Sequence, residues 1–243
     1  MKNKIYLALL TLIVGIGALL RFYALDKSPP SLGFDEAALG YNAYSIMLTG
    51  KDEYGNYLPL SLRSFNDYKP ALYAYLSIPF IKIFGLNANS VRAVSALAGT
   101  VSLVFLYLLL KEFIKNKWWR LGIFFILSFE PWRLHFSRNA FETHLSSCLF
   151  IIGIWFLLKS KERVNKWWIA VIFLALSAYS YHSARLAVPL LLVFWILDPI
   201  MILTRKNIWV SLKKRIAKNW KNLRLLALFL LLCLPIFIVN NSS

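Results

Sequence analysis

A Phe-Asp-Glu triplet is the sequence feature with the clearest chemical potential. Asp35 and Glu36 follow the first apolar run of the chain, where a membrane-spanning helix would end. Two adjacent carboxylates at that depth place proton-accepting oxygens beside the headgroups of the lipids. Such a carboxylate can remove the proton from a hydroxyl group that attacks a lipid-borne substrate.

Other ionisable residues fall at the ends of apolar runs, on the same predicted side of the membrane as the triplet. Because charged groups near lipid are costly, they usually face a cavity or one another. Lysine, arginine and histidine suit the binding of phosphate, and a carboxylate suits proton acceptance. The pattern therefore predicts a pocket for a lipid phosphate. The set consists of Arg21, Asp35, Glu36, Asp67, Lys69, Glu130, Arg133, His135, Arg138, Glu142, Tyr181, His182 and Arg185.

Several of these residues also have a purely structural interpretation. Asp35 can serve only as the N-cap of a helix. Arg21 can pair with Glu36, and Glu142 can pair with Arg138, which lies one helical turn earlier. Two further residues can simply lie at the membrane surface, namely Lys69 and His182.

The composition indicates a membrane protein and argues against a nucleic-acid partner. Of the 243 residues, 59% are hydrophobic, the mean hydropathy is +0.59 and the net charge is +17. The basic residues lie in clusters, and the apolar runs between these clusters are almost long enough to span a membrane. Such runs would interrupt a basic face that binds nucleic acid. The clusters fit the rule that positive charge stays in the cytoplasm. This predicts a cytoplasmic N-terminus and places the Asp-Glu pair outside.

The hydropathy pattern predicts an all-α polytopic membrane protein. Seven spans are expected, because a helix needs about 20 residues to cross the hydrocarbon core. A long external segment, 24–89, follows the first span and should carry two interfacial helices, 35–48 and 69–84, separated by a loop over 50–67. The predicted spans are 5–23, 90–110, 118–132, 143–158, 167–181, 185–203 and 224–240.

The order of these motifs resembles the first external loop of a known family. That family comprises the dolichyl-phosphate-mannose–protein mannosyltransferases and their bacterial relatives, including the lipid A aminoarabinose transferases. The resemblance covers residues 1–203. It is carried by Arg21-Phe22, Phe34-Asp35-Glu36, Gly50, Lys69-Pro70, Tyr73, Tyr75, Gly85, Arg92, the motifs between Pro131 and Glu142, and Tyr179–Arg185.

The resemblance implies a membrane glycosyltransferase of the C fold (GT-C) in a prokaryotic plasma membrane. Such an enzyme transfers a sugar from a polyprenyl phosphate on the outer face, with inversion at the anomeric carbon. Asp35 matches the catalytic acidic position, and Glu36 matches a second acidic residue that organises the loop with the arginine of the first span, here Arg21. Lys69 matches a contact to the donor phosphate. Further candidates are Arg138, His182 and Arg185 for phosphate, and Glu142 and Tyr181 as supporting residues.

The resemblance implies a lipid-linked sugar donor and no certain cofactor. Some relatives use an acidic residue before the Lys-Pro pair to bind a metal, but Tyr68 holds that position here, with Asp67 one residue earlier. No metal ligand is therefore assigned, and a divalent ion is left open. Relatives continue with more spans, so residues 1–243 are interpreted as the family's N-terminal transmembrane core. The expected partners are membrane lipid, the donor, and an acceptor protein, lipid or glycan.

Two other functions compete with this interpretation. A lipid or solute transporter would place ionisable groups near the bilayer midplane, often at broken spans. Here those groups gather at one surface, which favours chemistry on a lipid headgroup. A non-catalytic membrane partner with the same fold is the second alternative, and the intact Asp35, Glu36 and Lys69 count against it.

Overall fold

A computed structural model describes residues 2–64, 67–160, 167–197 and 220–239. Ten helices and one antiparallel hairpin make up this part of the chain, which confirms the predicted all-α membrane class. The helices are α1 (Lys2–Phe22), α2 (Phe34–Thr49), α3 (Leu72–Phe84), α4 (Ala88–Phe113), α5 (Lys117–Phe129), α6 (Pro131–Arg138), α7 (Glu142–Lys159), α8 (Trp167–Ser180), α9 (His182–Leu197) and α10 (Trp220–Val239). The hairpin pairs β1 (Ser61–Ser64) with β2 (Asp67–Pro70).

Three of the described helices are long and apolar enough to cross a membrane, namely α1, α4 and α7. Shorter apolar helices accompany them: α3, α8, and parts of α9 and α10. The predicted span 118–132 is wrong at its end, because α5 stops at Phe129 and Pro131 opens the separate helix α6. Proline is common at the first position of a helix, because the N–H group that it lacks would have no partner within the helix there. Residues 198–203 of the predicted sixth span lie outside the described residues.

The start of α2 differs from the prediction that Asp35 caps it. Gly33 is the N-cap, and its backbone N–H donates to Oε2 of Glu36 at 3.0 Å. A glutamate three residues after the cap is well placed for this contact, which satisfies an N–H at the helix start. The helix ends at Thr49, and Gly50 follows as its C-cap with a φ of 72°, a conformation that glycine adopts without strain. Asp35 is therefore left free for other contacts.

The segment after α2 is more ordered than the predicted loop over 50–67. Its first turn is closed by the Asp52 carboxylate, which accepts the backbone N–H of Tyr54 at 3.0 Å and of Asn56 at 2.8 Å. The β1–β2 hairpin follows, and Lys69 lies on a strand rather than at the start of a helix. Pro70 explains the difference, because a residue that precedes proline avoids the helical conformation.

Small residues allow the helices to pack closely. In α4, a Cβ added to Gly99 would lie 2.6 Å from the Ser137 Cβ and 2.9 Å from Nε2 of His144. Between α7 and α8, the hydroxyls of Ser146 and Ser177 lie 2.9 Å apart. Helices in membranes associate through such close packing and interhelical hydrogen bonds. The contacts at Gly99 hold α4 against α6 and α7.

Replacing Gly99 with alanine should therefore destabilise the bundle. We expect Gly99→Ala to lower the free energy of unfolding by about 1–3 kcal/mol, the usual cost of overpacking a core. Thermal unfolding in detergent, followed by tryptophan fluorescence, measures the change. Gly122→Ala in α5 is the matched control, because nothing lies within 4 Å of a Cβ at that position. Equal stabilities for the two variants would contradict the prediction.

Candidate functional site

A buried ion pair between Glu36 of α2 and Arg92 of α4 organises one end of the bundle. Arg92 is fully buried and Glu36 is 3% exposed. Nε and one terminal nitrogen of Arg92 donate to the two carboxylate oxygens at 2.9 and 2.8 Å. The other three N–H groups donate to the carbonyls of Leu25, Pro29 and Ser31 at 2.6, 2.8 and 2.7 Å. All five donors of the guanidinium are therefore used.

Glu36 also reaches the start of α7. Its Oε1 accepts the backbone N–H of Ala140 at 2.7 Å, two residues before the helix begins. Burial raises the pKa of the Glu36 carboxyl, but hydrogen bonds from Arg92, Ala140 and Gly33 outweigh this effect, and the pKa lies below its usual value. The carboxylate therefore stays charged and joins three separate segments of the chain.

Arg21 is not the partner of Glu36, and the predicted pairing is wrong. Arg21 is fully buried, and its guanidinium donates to the carbonyls of Gly17 at 2.7 Å and Ser128 at 3.1 Å. It thereby holds the end of α1 against the end of α5. The arginine that pairs with Glu36, Arg92, comes from the second long helix.

Five of the predicted site residues line one cavity of about 630 Å³, which we call the Asp35 cavity. Within it, the Lys69 ammonium forms a salt bridge with Oδ1 of Asp35. The Asp35 side chain is 53% exposed, whereas the Lys69 side chain is 13% exposed. The carboxylate is thus the accessible member of the pair. The predicted residues in the lining are Asp35, Lys69, Glu142, Tyr181 and His182.

Different elements deliver these side chains. Successive helical residues point about 100° apart, so Asp35 can face the cavity while its neighbour Glu36 is buried. Glu142 is the first residue of α7 and is 7% exposed. His182, at the start of α9, donates from Nε2 to the carbonyl of Tyr68 at 2.9 Å. This contact ties α9 to the strand that carries Lys69.

Two predicted phosphate contacts do not line the Asp35 cavity. Arg138 donates to three backbone carbonyls, those of Leu20, Ala24 (3.3 Å) and Ser28 (2.9 Å). Nε of Arg185 lies 3.4 Å from the carbonyl of Ala178. In this structure Arg138 holds the segment after α1, so its side chain is already engaged away from the cavity.

Sequence reasoning missed the importance of Arg92. The position of Arg92 in the sequence could have indicated its role. An arginine near the start of an apolar span needs a buried anionic or carbonyl partner. It also missed Ser64 and Thr143, whose hydroxyl-bearing side chains line the cavity without any distinctive motif. Within the described ranges, no group of three or more His, Cys, Asp or Glu residues is placed to hold a metal ion.

The fold of the chain is similar to that of a solved protein. The similar protein is ArnT from Cupriavidus metallidurans, whose crystal structure was determined bound to undecaprenyl phosphate. The two structures superpose with a TM-score of 0.64, and their sequences are 14% identical. The match covers 94% of this chain and 40% of that chain, so the chain spans less than half of the solved protein's length. At this identity the likeness establishes the fold alone, which is the predicted GT-C fold.

The sequence identifies the family. A sequence model of the dolichyl-phosphate-mannose-protein mannosyltransferase family matches residues 68–239, and the chain belongs to this family, as the sequence motifs predicted. A search of curated protein sequences found no match. The matched range includes Lys69, Arg92 and Glu142, whereas Asp35 and Glu36 precede it.

The Glu36–Arg92 pair makes a testable contribution to stability. Because the folded-state pKa of Glu36 lies below its ordinary value of 4.5, the stabilisation is fully present above pH 4.5. It is lost as the pH falls through the folded-state pKa. Glu36→Gln should lower the free energy of unfolding at neutral pH by about 3–5 kcal/mol, because it leaves Arg92 buried without a counter-charge.

Unfolding in detergent at neutral and acidic pH measures both effects. The variant should show a shallower loss of stability below pH 4.5 than the wild type. Asp26→Asn is the control, since Asp26 is an exposed carboxylate in the segment that connects α1 to α2. If Glu36→Gln and Asp26→Asn have the same stability at neutral pH, the ion pair does not organise this end of the bundle.

Proposed function

We propose that the chain is the N-terminal core of a glycosyltransferase that transfers a sugar from a polyprenyl phosphate to an acceptor. The reaction takes place on the extracytoplasmic face of the plasma membrane, and the acceptor is a protein, lipid or glycan of the cell envelope. The observation that carries the proposal is the salt bridge between Asp35 and Lys69 inside a cavity. Membership of the family and the fold support it.

Lys69 is the proposed contact to the donor phosphate. Its ammonium lies in the wall of the Asp35 cavity with only 13% of the side chain exposed, so little water screens its charge. The phosphate leaves carrying negative charge, and a cation in a poorly solvated site stabilises that charge in the transition state. Tyr181 and His182 line the same cavity and are the proposed further contacts to the donor.

Asp35 is the proposed general base. Its carboxylate is half exposed and therefore accessible to an acceptor that enters from the aqueous side. The acceptor oxygen bonds to the anomeric carbon on the face opposite the phosphate, and the bond from that carbon to the phosphate oxygen breaks with its electron pair. The acceptor proton moves to Asp35 as the new bond forms. Glu142, at 7% exposure, is the second acidic residue of the cavity.

The salt bridge gives a reason for the donor to bind before the acceptor. In the structure the Lys69 ammonium engages Oδ1 of Asp35, so that oxygen already has a partner. The donor phosphodiester carries one negative charge shared by two unesterified oxygens, and it competes with Asp35 for the ammonium. Binding of the donor then releases Asp35 for the acceptor hydroxyl.

Replacement of the carboxylate should abolish transfer. We expect Asp35→Asn to reduce the transfer rate by about 10²–10⁴-fold, the usual contribution of a general base. Insertion into the membrane and thermal stability should be unchanged, because Asp35 is half exposed. The measurement is single-turnover transfer from a polyprenyl-phosphate sugar in nanodiscs, with the complete gene product. Asp26→Asn is the control, and normal turnover by Asp35→Asn would rule out the assignment of Asp35.

Removal of the lysine should act first on donor binding. Lys69→Ala is expected to weaken saturable binding of a polyprenyl-phosphate sugar by at least about tenfold, which corresponds to the loss of one charge-assisted contact. Asp35→Asn should retain binding in the same assay. Lys82→Ala provides the control, because Lys82 is exposed on α3. Binding that is equal in Lys69→Ala and wild type would show that the phosphate lies elsewhere.

A further inference from the structure

A second cavity of about 450 Å³ adjoins the Asp35 cavity, and we call it the Arg133 cavity. The two cavities share three lining residues, Phe136, Thr143 and Tyr181. The second one continues along α7 to Ile151, about two helical turns further from the start of the helix than Thr143. It therefore leads from the polar end of the bundle into the apolar region.

Arg133 is the principal charge in this cavity, and its guanidinium is poorly satisfied. One terminal nitrogen donates to Oγ of Ser102 at the long distance of 3.3 Å. Its Nε is buried and has no hydrogen-bond partner among the described residues. Glu130 is close, but its two oxygens accept the backbone N–H groups of Trp132 and Arg133 at 3.1 and 2.9 Å as the cap of α6. Arg133 forms no salt bridge with any of the described residues.

The surroundings add further positive charge or donors. His144 lines the cavity, is nine-tenths buried, and its Nε2 has no hydrogen-bond partner in the described residues. Arg21 is fully buried nearby, since a Cβ at Gly99 would lie 3.0 Å from Cδ of Arg21 and 2.9 Å from the His144 Nε2. Among the described residues, neither the fully buried Arg21 nor the partly buried Arg133 has a paired carboxylate, which is costly in an apolar environment. An anion bound in the cavity would remove that cost.

We propose that the Arg133 cavity is a second anion site, which binds the phosphate group of a membrane lipid. Arg133 of α6 and His144 of α7 line the cavity, and each has a buried nitrogen without a hydrogen-bond partner among the described residues. Ser102 of α4 accepts from Arg133 while its own proton goes to the Gly99 carbonyl, so it orients the guanidinium. A guanidinium with unused N–H groups suits an anion with several oxygens. Trp132, Phe136 and Ile151 supply an apolar wall for the hydrocarbon part. The identity of the lipid rests on the proposed function, whereas the anion site rests on the cavity alone.

The shared wall gives the second site a role in the reaction. A lipid phosphate released in the Asp35 cavity has a cationic position to move into without passing through the hydrocarbon as an unpaired charge. Lys69 would then be free to take the next donor or to return to Asp35. The same chemistry also fits inorganic phosphate, and the experiment must separate these two sources.

The test compares three probes on the complete gene product in nanodiscs: a short-chain polyprenyl phosphate, the corresponding polyprenol, and inorganic phosphate. Arg133→Gln should raise the Kd for the polyprenyl phosphate at least tenfold, while Arg133→Lys, which keeps the charge, should raise it less. Binding of the polyprenol should be unchanged. Arg63→Gln, at an exposed position on β1, is the matched control. If Arg133→Gln fails to fold, Arg133→Lys and thermal stabilisation of the wild type by each probe still decide the question.

Each outcome has a distinct meaning. Equal Kd values in wild type and both Arg133 variants, or stabilisation of the wild type by the polyprenol as strongly as by its phosphate, would overturn the proposal. Inorganic phosphate binding as tightly as the polyprenyl phosphate would overturn the lipid assignment. Failure of the proposed function looks different: no sugar transfer by the wild type, although the polyprenyl phosphate still binds in an Arg133-dependent way.

Discussion

The architecture of the site depends on one buried ion pair, that between Arg92 and Glu36. A guanidinium in an apolar bundle is least costly when its charge is compensated and its donors are used. Arg92 meets both conditions by binding one carboxylate and three carbonyls of the segment that follows α1. The segment cannot move without leaving a buried donor unsatisfied, and each such donor costs about 1–3 kcal/mol. The position of Asp35, one residue before Glu36, follows from this constraint.

The charged groups fall into two electrostatic classes. Arg92 and Glu36 are fully paired within the protein, so exchanging a partner with a ligand would be unfavourable. Lys69 has a half-exposed partner in Asp35, and the side chain of Arg133 has only a long contact to a hydroxyl among the described residues. These two cations can therefore gain from an incoming phosphate, whereas Arg92 cannot. Burial alone does not separate structural from functional charge; the extent of pairing does.

The sequence was sufficient for the class of fold and for much of the Asp35 cavity. Charged residues at the ends of apolar helices have few low-energy environments, which is why Asp35, Lys69 and Glu142 converge as predicted. The choice of partner was not predictable in the same way. Pairing Glu36 with Arg21 or Arg92 is decided by which helix crosses beside α2, a tertiary property. The hairpin was missed because two four-residue strands carry almost no periodic signal.

The start of α7 connects this ion pair to both cavities. Residues two positions apart on a helix point about 200° apart, so Glu142 and His144 face opposite sides. Glu142 lines the Asp35 cavity, His144 lines the Arg133 cavity, and Thr143 between them lines both. Glu36 fixes where this helix begins, through the N–H of Ala140. A shift of α7 by one residue would rotate its side chains by about 100°. Such a rotation would move the Glu142 carboxylate and the His144 imidazole out of their cavities together.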